Sequence, residues 1–347
     1  MSNRYVTVNI TQETQPQSQA GYGLALVLST EKDAEYREYS SGTALTAIGE
    51  AYGVESETYK LASAVLNQTP KVDKIAVVGV LYDNGTEATT QLATALNELT
   101  KTRNDFFYLV STEQGKAEIE ALGAWVASKM KFYFVTTTKE VFDTLGENMP
   151  RNAVVMVHDK PEQYAGEALV GAIAPLNIGS YTITFQNLIG ISPVLYDSMD
   201  IDDIEAKGGI TYIREGGKNI VSAGRTMGNE YFDLVQGEFF LKNRLTENVF
   251  NNVLTRGKTK VPFSQNGINT VVAEVDATLG ASVESVTTGE GIIARDADGN
   301  PEYFVETPMI ANISNADKSN RRLPGVNWRA TVAGAVESVQ INGVMQL

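Results

Sequence analysis

The sequence predicts an α/β domain followed by a smaller α+β domain, with strand-like arms at both chain ends. Three observations carry this reading. Between residues 23 and 175, short apolar runs alternate five times with helical periodicity, as in a largely parallel sheet covered by helices. Past Gly179 the rhythm changes to longer helices and short paired strands. At the ends, Val6, Val8 and Ile10, and then Val339, Ile341, Met345 and Leu347, alternate with polar or small residues as half-buried strands do.

The elements follow in order. Residues 4–11, with Tyr5 and Val6 leading, form one strand, and the polar, aperiodic residues 12–20 tether it to the body. Residues 23–28 are a buried strand. Residues 41–68 are helical in two pieces, stopped by Pro70. Residues 74–82 are nearly all apolar, as expected of a strand covered on both faces. Helices at 86–102, 114–130, 139–145 and 162–174 interleave with strands at 105–111, 131–137 and 153–158. Tyr181, Ile183 and Phe185 alternate with threonines. A short helix ends near Gly209, and two strands flank Gly216-Gly217. Residues 232–256 and 268–279 are helical. Residues 291–295 and 302–306 read as a hairpin around the turn-forming Asp296-Ala-Asp-Gly-Asn-Pro, and residues 326–347 are rich in strand. The units are an arm and linker at 1–22, an α/β domain at 23–206, a second domain at 207–338 and an arm at 339–347, which also carries Val344.

Bulk properties narrow the function. The 347 residues are 43% hydrophobic and 20% charged, enough for a substantial core. The net charge of −14 argues against nucleic-acid binding and against docking on an anionic membrane. Residues 1–206 hold 14 of the 28 Lys and Arg and 27 of the 42 Asp and Glu, so their net charge is −13 against −1 for the rest. That asymmetry marks two zones with different surroundings, or a drift in composition. The absence of cysteine removes disulfides, zinc–thiolate sites and cysteine nucleophiles. The first residues lack the apolar core of a secretion signal, and no run of about 18 apolar residues predicts a membrane span.

A search for chemistry finds little. His158 is the only histidine. It ends an apolar strand, where α/β active sites lie, but no Gly-x-Ser-x-Gly elbow accompanies it, and an exposed turn histidine is the ordinary expectation. No Gly-x-x-x-x-Gly-Lys loop or Gly-x-Gly-x-x-Gly motif is present, and Gly216-Gly217-Lys218 reads as a turn. Asp296, Asp298 and Asn300 resemble the start of a calcium loop, but Pro301 and Thr307 stand where glycine and glutamate are required. Asp200, Asp202, Asp203 and Glu205 fit the acidic first turn of a helix as well as a weak cation site. Two basic groups, Arg256, Lys258 and Lys260, then Lys318, Arg321 and Arg322, are either solvated faces or a patch that meets an acidic partner. No catalytic group, cofactor or metal is indicated. The rival reading is an α/β enzyme or nucleotide-binding protein built on residues 23–175.

The stretch Asn315-Ala-Asp-Lys-Ser-Asn-Arg-Arg-Leu-Pro-Gly-Val-Asn-Trp-Arg-Ala, leading into the terminal strands, resembles the C-terminal region of phage-type contractile tail sheath proteins. Tyr59-Lys-Leu-Ala-Ser-Ala-Val-Leu-Asn-Gln-Thr-Pro before the strand at 74–80 is similar to that family's helix-then-strand opening. The resemblance implies a structural subunit of a phage tail or phage-like bacteriocin, assembled in the host bacterial cytoplasm, and not an enzyme. It implies self-assembly as stacked hexameric rings around an inner tube protein, with baseplate and tail terminator proteins as further partners, and no nucleic acid or direct membrane contact. In that family the terminal arms add strands to neighbouring subunits, the α/β domain lies outside, and a sheath-type α+β domain faces the tube. The arm roles would fall on Tyr5, Val6, Val8, Ile10, Val339, Ile341, Val344, Met345 and Leu347. The two basic groups are the candidates for the tube.

Overall fold

The structure, a computed structural model, describes residues 22–82, 88–146, 149–257 and 260–340. Its frame is a mixed sheet. The strands are β1 (Ala25–Ser29), β2 (Ala34–Ser40), β3 (Lys74–Gly79), β4 (Tyr108–Ser111), β5 (Phe132–Thr137), β6 (Ala153–Val157), β7 (Ile210–Glu215) and β8 (Lys218–Val221). They lie in the order β2-β3-β1-β4-β5-β6-β7-β8. From β3 to β7 every pairing is parallel, and β2 and β8 add antiparallel edges. Strands β1, β4, β5 and β6 are buried at every residue, which is why they read as unbroken apolar runs.

Alternate side chains feed two layers. On one face, α1 (Ala44–Tyr52), α2 (Glu57–Leu66) and α6 (Ala165–Ile173) pack on Val27, Ile75, Phe132, Phe134 and Met156. On the other, α3 (Ala88–Thr102), α4 (Lys116–Ala127), α5 (Lys139–Phe142) and α7 (Ser198–Ala206) pack on Leu26, Leu28, Tyr133 and Val155. The Ser56 hydroxyl caps α2 and the Asp197 carboxylate caps α7, each accepting an orphan N–H of the first turn.

The sheet passes through the boundary expected at 206/207. Strand β7 extends it beside β6 through Met156↔Ile210 and Val157↔Thr211. Helix α8 (Phe232–Asn248), continued by a π-helical turn at Val249–Leu254, then joins the two halves. Its Phe232, Val235 and Phe239 complete the first core, while Leu241, Leu245 and Val249 start a third. Helix α9 (Gln265–Gly280) adds Val275 and Leu279 to that third core. A two-stranded sheet of β9 (Tyr303–Glu306) and β10 (Asn327–Ala330) closes it, with the short α10 (Asn315–Ser319) between them in sequence.

Three expectations change. Strand β2 has no apolar run to announce it: its sequence Ala-Glu-Tyr-Arg-Glu-Tyr-Ser suits an edge, where only part of one face is covered. Residues 181–185 form no strand, since Phe185 turns the chain with φ at 66°. The Asp296 turn forms, with Arg295 bridged to Pro301, but β9 takes its partner from β10 and not from residues 291–295. The Gly216-Gly217 turn is as expected: both residues have positive φ, 56° and 82°, the two-residue geometry that matches strand twist.

Candidate assembly surface

In an open α/β sheet, ligands bind beyond the strand ends where the strand order reverses. Here that point lies between β1 and β4. It is filled by the chain's own side chains. Thr30 Oγ1 donates to Glu113 Oε1 at 2.5 Å and pairs with Thr112 Oγ1 at 3.0 Å. The Glu31 carboxylate accepts the Glu57 and Thr58 backbone N–H groups, both at 3.0 Å, at the start of α2. The helix N-terminus that a phosphate would use is therefore already satisfied by a carboxylate. Behind it, Glu167 is fully buried and accepts from Thr136 N at 3.1 Å and Thr136 Oγ1 at 2.5 Å. Burial pushes its carboxyl up to about 7, against the opposing Thr136 hydrogen bonds.

His158 is buried, not on an exposed turn. The loop carrying Ser192 covers the end of β6, and Nε2 donates to Ser192 O at 2.8 Å while Nδ1 accepts from Lys160 N at 2.9 Å. Both ring nitrogens serve the backbone, which leaves neither for a nucleophile. Asp296 Oδ1 accepts from Asp298 N and Asn300 N at 3.0 and 2.8 Å. These bonds, with the Asn300 backbone first, hold its carboxyl below the usual range and make it the organiser of a turn. Near the acidic helix α7, Lys207 meets Asp203 at 2.8 Å and Asp143 at 2.9 Å, and Lys139 also reaches Asp143 at 2.8 Å.

The small sheet behaves differently. Tyr303, Val305, Trp328 and Ala330 turn inward onto the third core. Phe304, Glu306, Asn327 and Arg329 turn outward, with Arg329 over the Phe304 ring at 5.2 Å and Asn327 Nδ2 donating to Glu306 at 3.0 Å. The Thr331 N–H donates to Glu302 O at 2.9 Å. This bond sets the phase of the ladder, in which alternate opposed pairs exchange hydrogen bonds. Phe304 and Arg329 are then a bonded pair, and so are Glu306 and Asn327. The backbone groups of Tyr303 and Val305 point away on one side, those of Trp328 and Ala330 on the other, and neither set finds a partner among the described residues. Such edges accept another strand. Sequence reasoning missed this sheet because it gave β9 the wrong partner; the alternation in Val326-Asn-Trp-Arg-Ala-Thr-Val332 was the available signal.

The predicted site residues separate. Tyr5, Val6, Val8, Ile10, Ile341, Val344, Met345 and Leu347 lie outside the described residues, as does Lys258. Val339 is 75% exposed. Arg256 and Lys260 are exposed beyond the π-helical turn, Lys318 is half-buried in α10, and Arg321 is exposed with φ at 53°. Arg322 pairs with Asp317 at 3.3 Å on the surface, an interaction of small energetic weight.

Comparison with known proteins places this architecture. Residues 232–345 match the family described as the E217 tail sheath protein gp31-like C-terminal domain. No curated protein matches the chain by sequence. Among solved structures, the helical sheath of the anti-feeding prophage in its contracted state superposes with a TM-score of 0.69 at 13% identity, covering 98% of this chain and 99% of that one. A chain of the six-fold symmetrised baseplate of the same particle gives 0.68 at 13% identity, with both chains covered completely. The sheath tail protein of Desulfitobacterium hafniense gives 0.55 at 10% identity, over 87% of this chain and 93% of that one. Residues 232–345 thus match a tail sheath C-terminal domain, and the chain carries the fold of these sheath structures over nearly its whole length.

Proposed function

We propose that this subunit polymerises as stacked hexameric rings around an inner tube, joined by exchange of its terminal strands, and that contraction of the lattice drives the tube through a target envelope. The observation that carries the reading is the match between two open edges on the β9–β10 sheet and two strand-like arms at the chain ends. Each added strand contributes main-chain hydrogen bonds, and its alternating side chains set the register. Residues 12–20 act as the tether that lets subunits shift without separating. In this arrangement the large sheet and its helices face outward with the acidic charge; of the expected tube-facing unit 207–338, the part past β8 faces the tube, and Arg256, Lys258, Lys260, Lys318, Arg321 and Arg322 meet it.

The subunit's partners are then further copies of itself, the tube, and the baseplate and terminator proteins at either end of a phage tail or phage-like particle, with assembly in the host cytoplasm. The likeness to both sheath and baseplate structures supports self-association and baseplate contact. A structural role is supported by the carboxylates that fill the strand-order reversal of the large sheet, where a nucleotide would bind. Deletion of residues 1–15 tests the reading. The truncated chain remains a folded monomer and forms no tubes in negative-stain microscopy. Long regular tubes from the truncated chain would exclude strand exchange through the N-terminal arm.

A further inference from the structure

Both arms are anchored near α8, but by different means. Tyr22, at the root of the N-terminal arm, is buried. Its ring meets Phe107 edge-on at 5.1 Å and Phe240 at 5.2 Å, and the Arg244 guanidinium lies over it at 5.3 Å. This is an apolar plug in a core that includes α8. Helix α8 is tied to the segment before β6, where Arg151 donates to Glu238 at 2.7 Å and to Glu230, just ahead of the helix, at 2.7 Å.

The C-terminal root is a strap. Among residues 334–340 only Glu337 is even half-buried, and Val336 and Val339 on either side are 78% and 75% exposed. Glu337 Oε1 accepts from Thr182 Oγ1 at 3.0 Å and Thr184 Oγ1 at 2.6 Å. Gly224 provides the space: a Cβ there would lie 2.4 Å from that carboxylate oxygen and 2.5 Å from Thr184 Oγ1. Beside the slot, the Asp233 carboxylate in the first turn of α8 accepts the Leu234 backbone N–H at 3.0 Å. Two hydroxyls and a missing side chain thus form a seat for a carboxylate. The strap is otherwise exposed on both sides of this one contact.

We propose that Glu337 is a releasable latch. Seated between Thr182, Thr184 and Gly224, it fixes where the C-terminal arm leaves the body, whereas Tyr22 holds the N-terminal arm permanently. Opening the latch frees residues 334–340, which span at most about 24 Å when extended, and so lengthens the reach of one arm only. The use of that reach rests on strand exchange between subunits; the latch itself is a property of the single chain.

Amide hydrogen exchange of the full-length chain tests the latch directly. Glu337→Ala accelerates exchange of the Ala333 amide, which donates to Ile292 O at 2.8 Å, by about fivefold and leaves residues 303–306 unchanged. Glu337→Gln stays close to the parent, because its amide oxygen still accepts from both threonines. Gly224→Ala, which fills the seat, reproduces the Glu337→Ala pattern. Equal exchange in the parent and Glu337→Ala overturns the latch, and so does acceleration spread evenly over 303–340. Failure of the parent chain to form tubes would remove the sheath assembly instead, and the exchange result would still decide the latch.

Discussion

The two sheets of this chain treat their edges in opposite ways. In the large sheet, β2 sets Glu35, Arg37 and Glu38 along one edge, with Glu38 paired to Lys74 at 2.5 Å and an irregular register after Ala34. At the other edge β8 is only four residues long and is covered: Phe185 N–H donates to Val221 O, and Val221 N–H to Gln186 O, both at 3.0 Å. Charge, irregularity and cover are the usual defences against unwanted pairing. The β9–β10 sheet also carries charge, at Glu306 and Arg329, but among the described residues its outward backbone groups have no cover. A chain that protects one sheet and leaves the other open has separated its stable body from its sticky surface.

The difference should appear in stability. Phe132 is fully buried at the centre of the large sheet and touches Phe232, Phe239 and Phe107 at 4.6, 5.5 and 5.5 Å between ring centroids. Phe132→Ala is expected to cost about 4 kcal/mol in denaturant unfolding of the monomer. Trp328→Ala, on the small sheet where the ring is only half-buried, is expected to cost about 1–2 kcal/mol. Equal losses would mean that the small sheet is as much a part of the body as the large one.

Next in size is a pH effect confined to the large sheet. The Glu167 carboxyl is raised by burial from the ordinary 4.5 to about 7. For an acid raised on folding, the favourable contribution is complete below the unfolded value and is lost as pH rises through the folded one. The loss amounts to about 3 kcal/mol between pH 4.5 and 7, with no further change above. Glu167→Gln removes that part of the slope, so the parent and variant unfolding curves differ most in their pH dependence between 4.5 and 7. Parallel curves across that window would show that Glu167 does not titrate as its burial requires.

Much of the large sheet was legible in the sequence because its strands are buried on both faces, and an unbroken five-residue run such as Ala153-Val-Val-Met-Val, bounded by polar residues, suits little but a central strand. Strand β2 was not, since an edge with one partner needs little apolar surface. The small sheet was half legible. The Asp296 turn announces itself chemically, but pairing β9 with β10 depends on contacts across more than twenty residues, which no local pattern records. The terminal segments alternate as strands do but lie outside the described residues, and the two open edges of the small sheet emerge only once the ladder phase is known. The Glu337 seat left no pattern, because two threonines, a glycine and a glutamate far apart in sequence meet only in the fold.

The central claim is that the outward backbone groups of the small sheet receive strands from other subunits. Val305→Pro tests it most directly, because the Val305 N–H points outward and makes no bond within the sheet, so the ring removes a docking donor while sparing the ladder. The expected result is a monomer whose melting temperature stays close to the parent's and which forms no tubes under conditions where the parent does. Tubes of normal length and spacing from Val305→Pro would contradict the account.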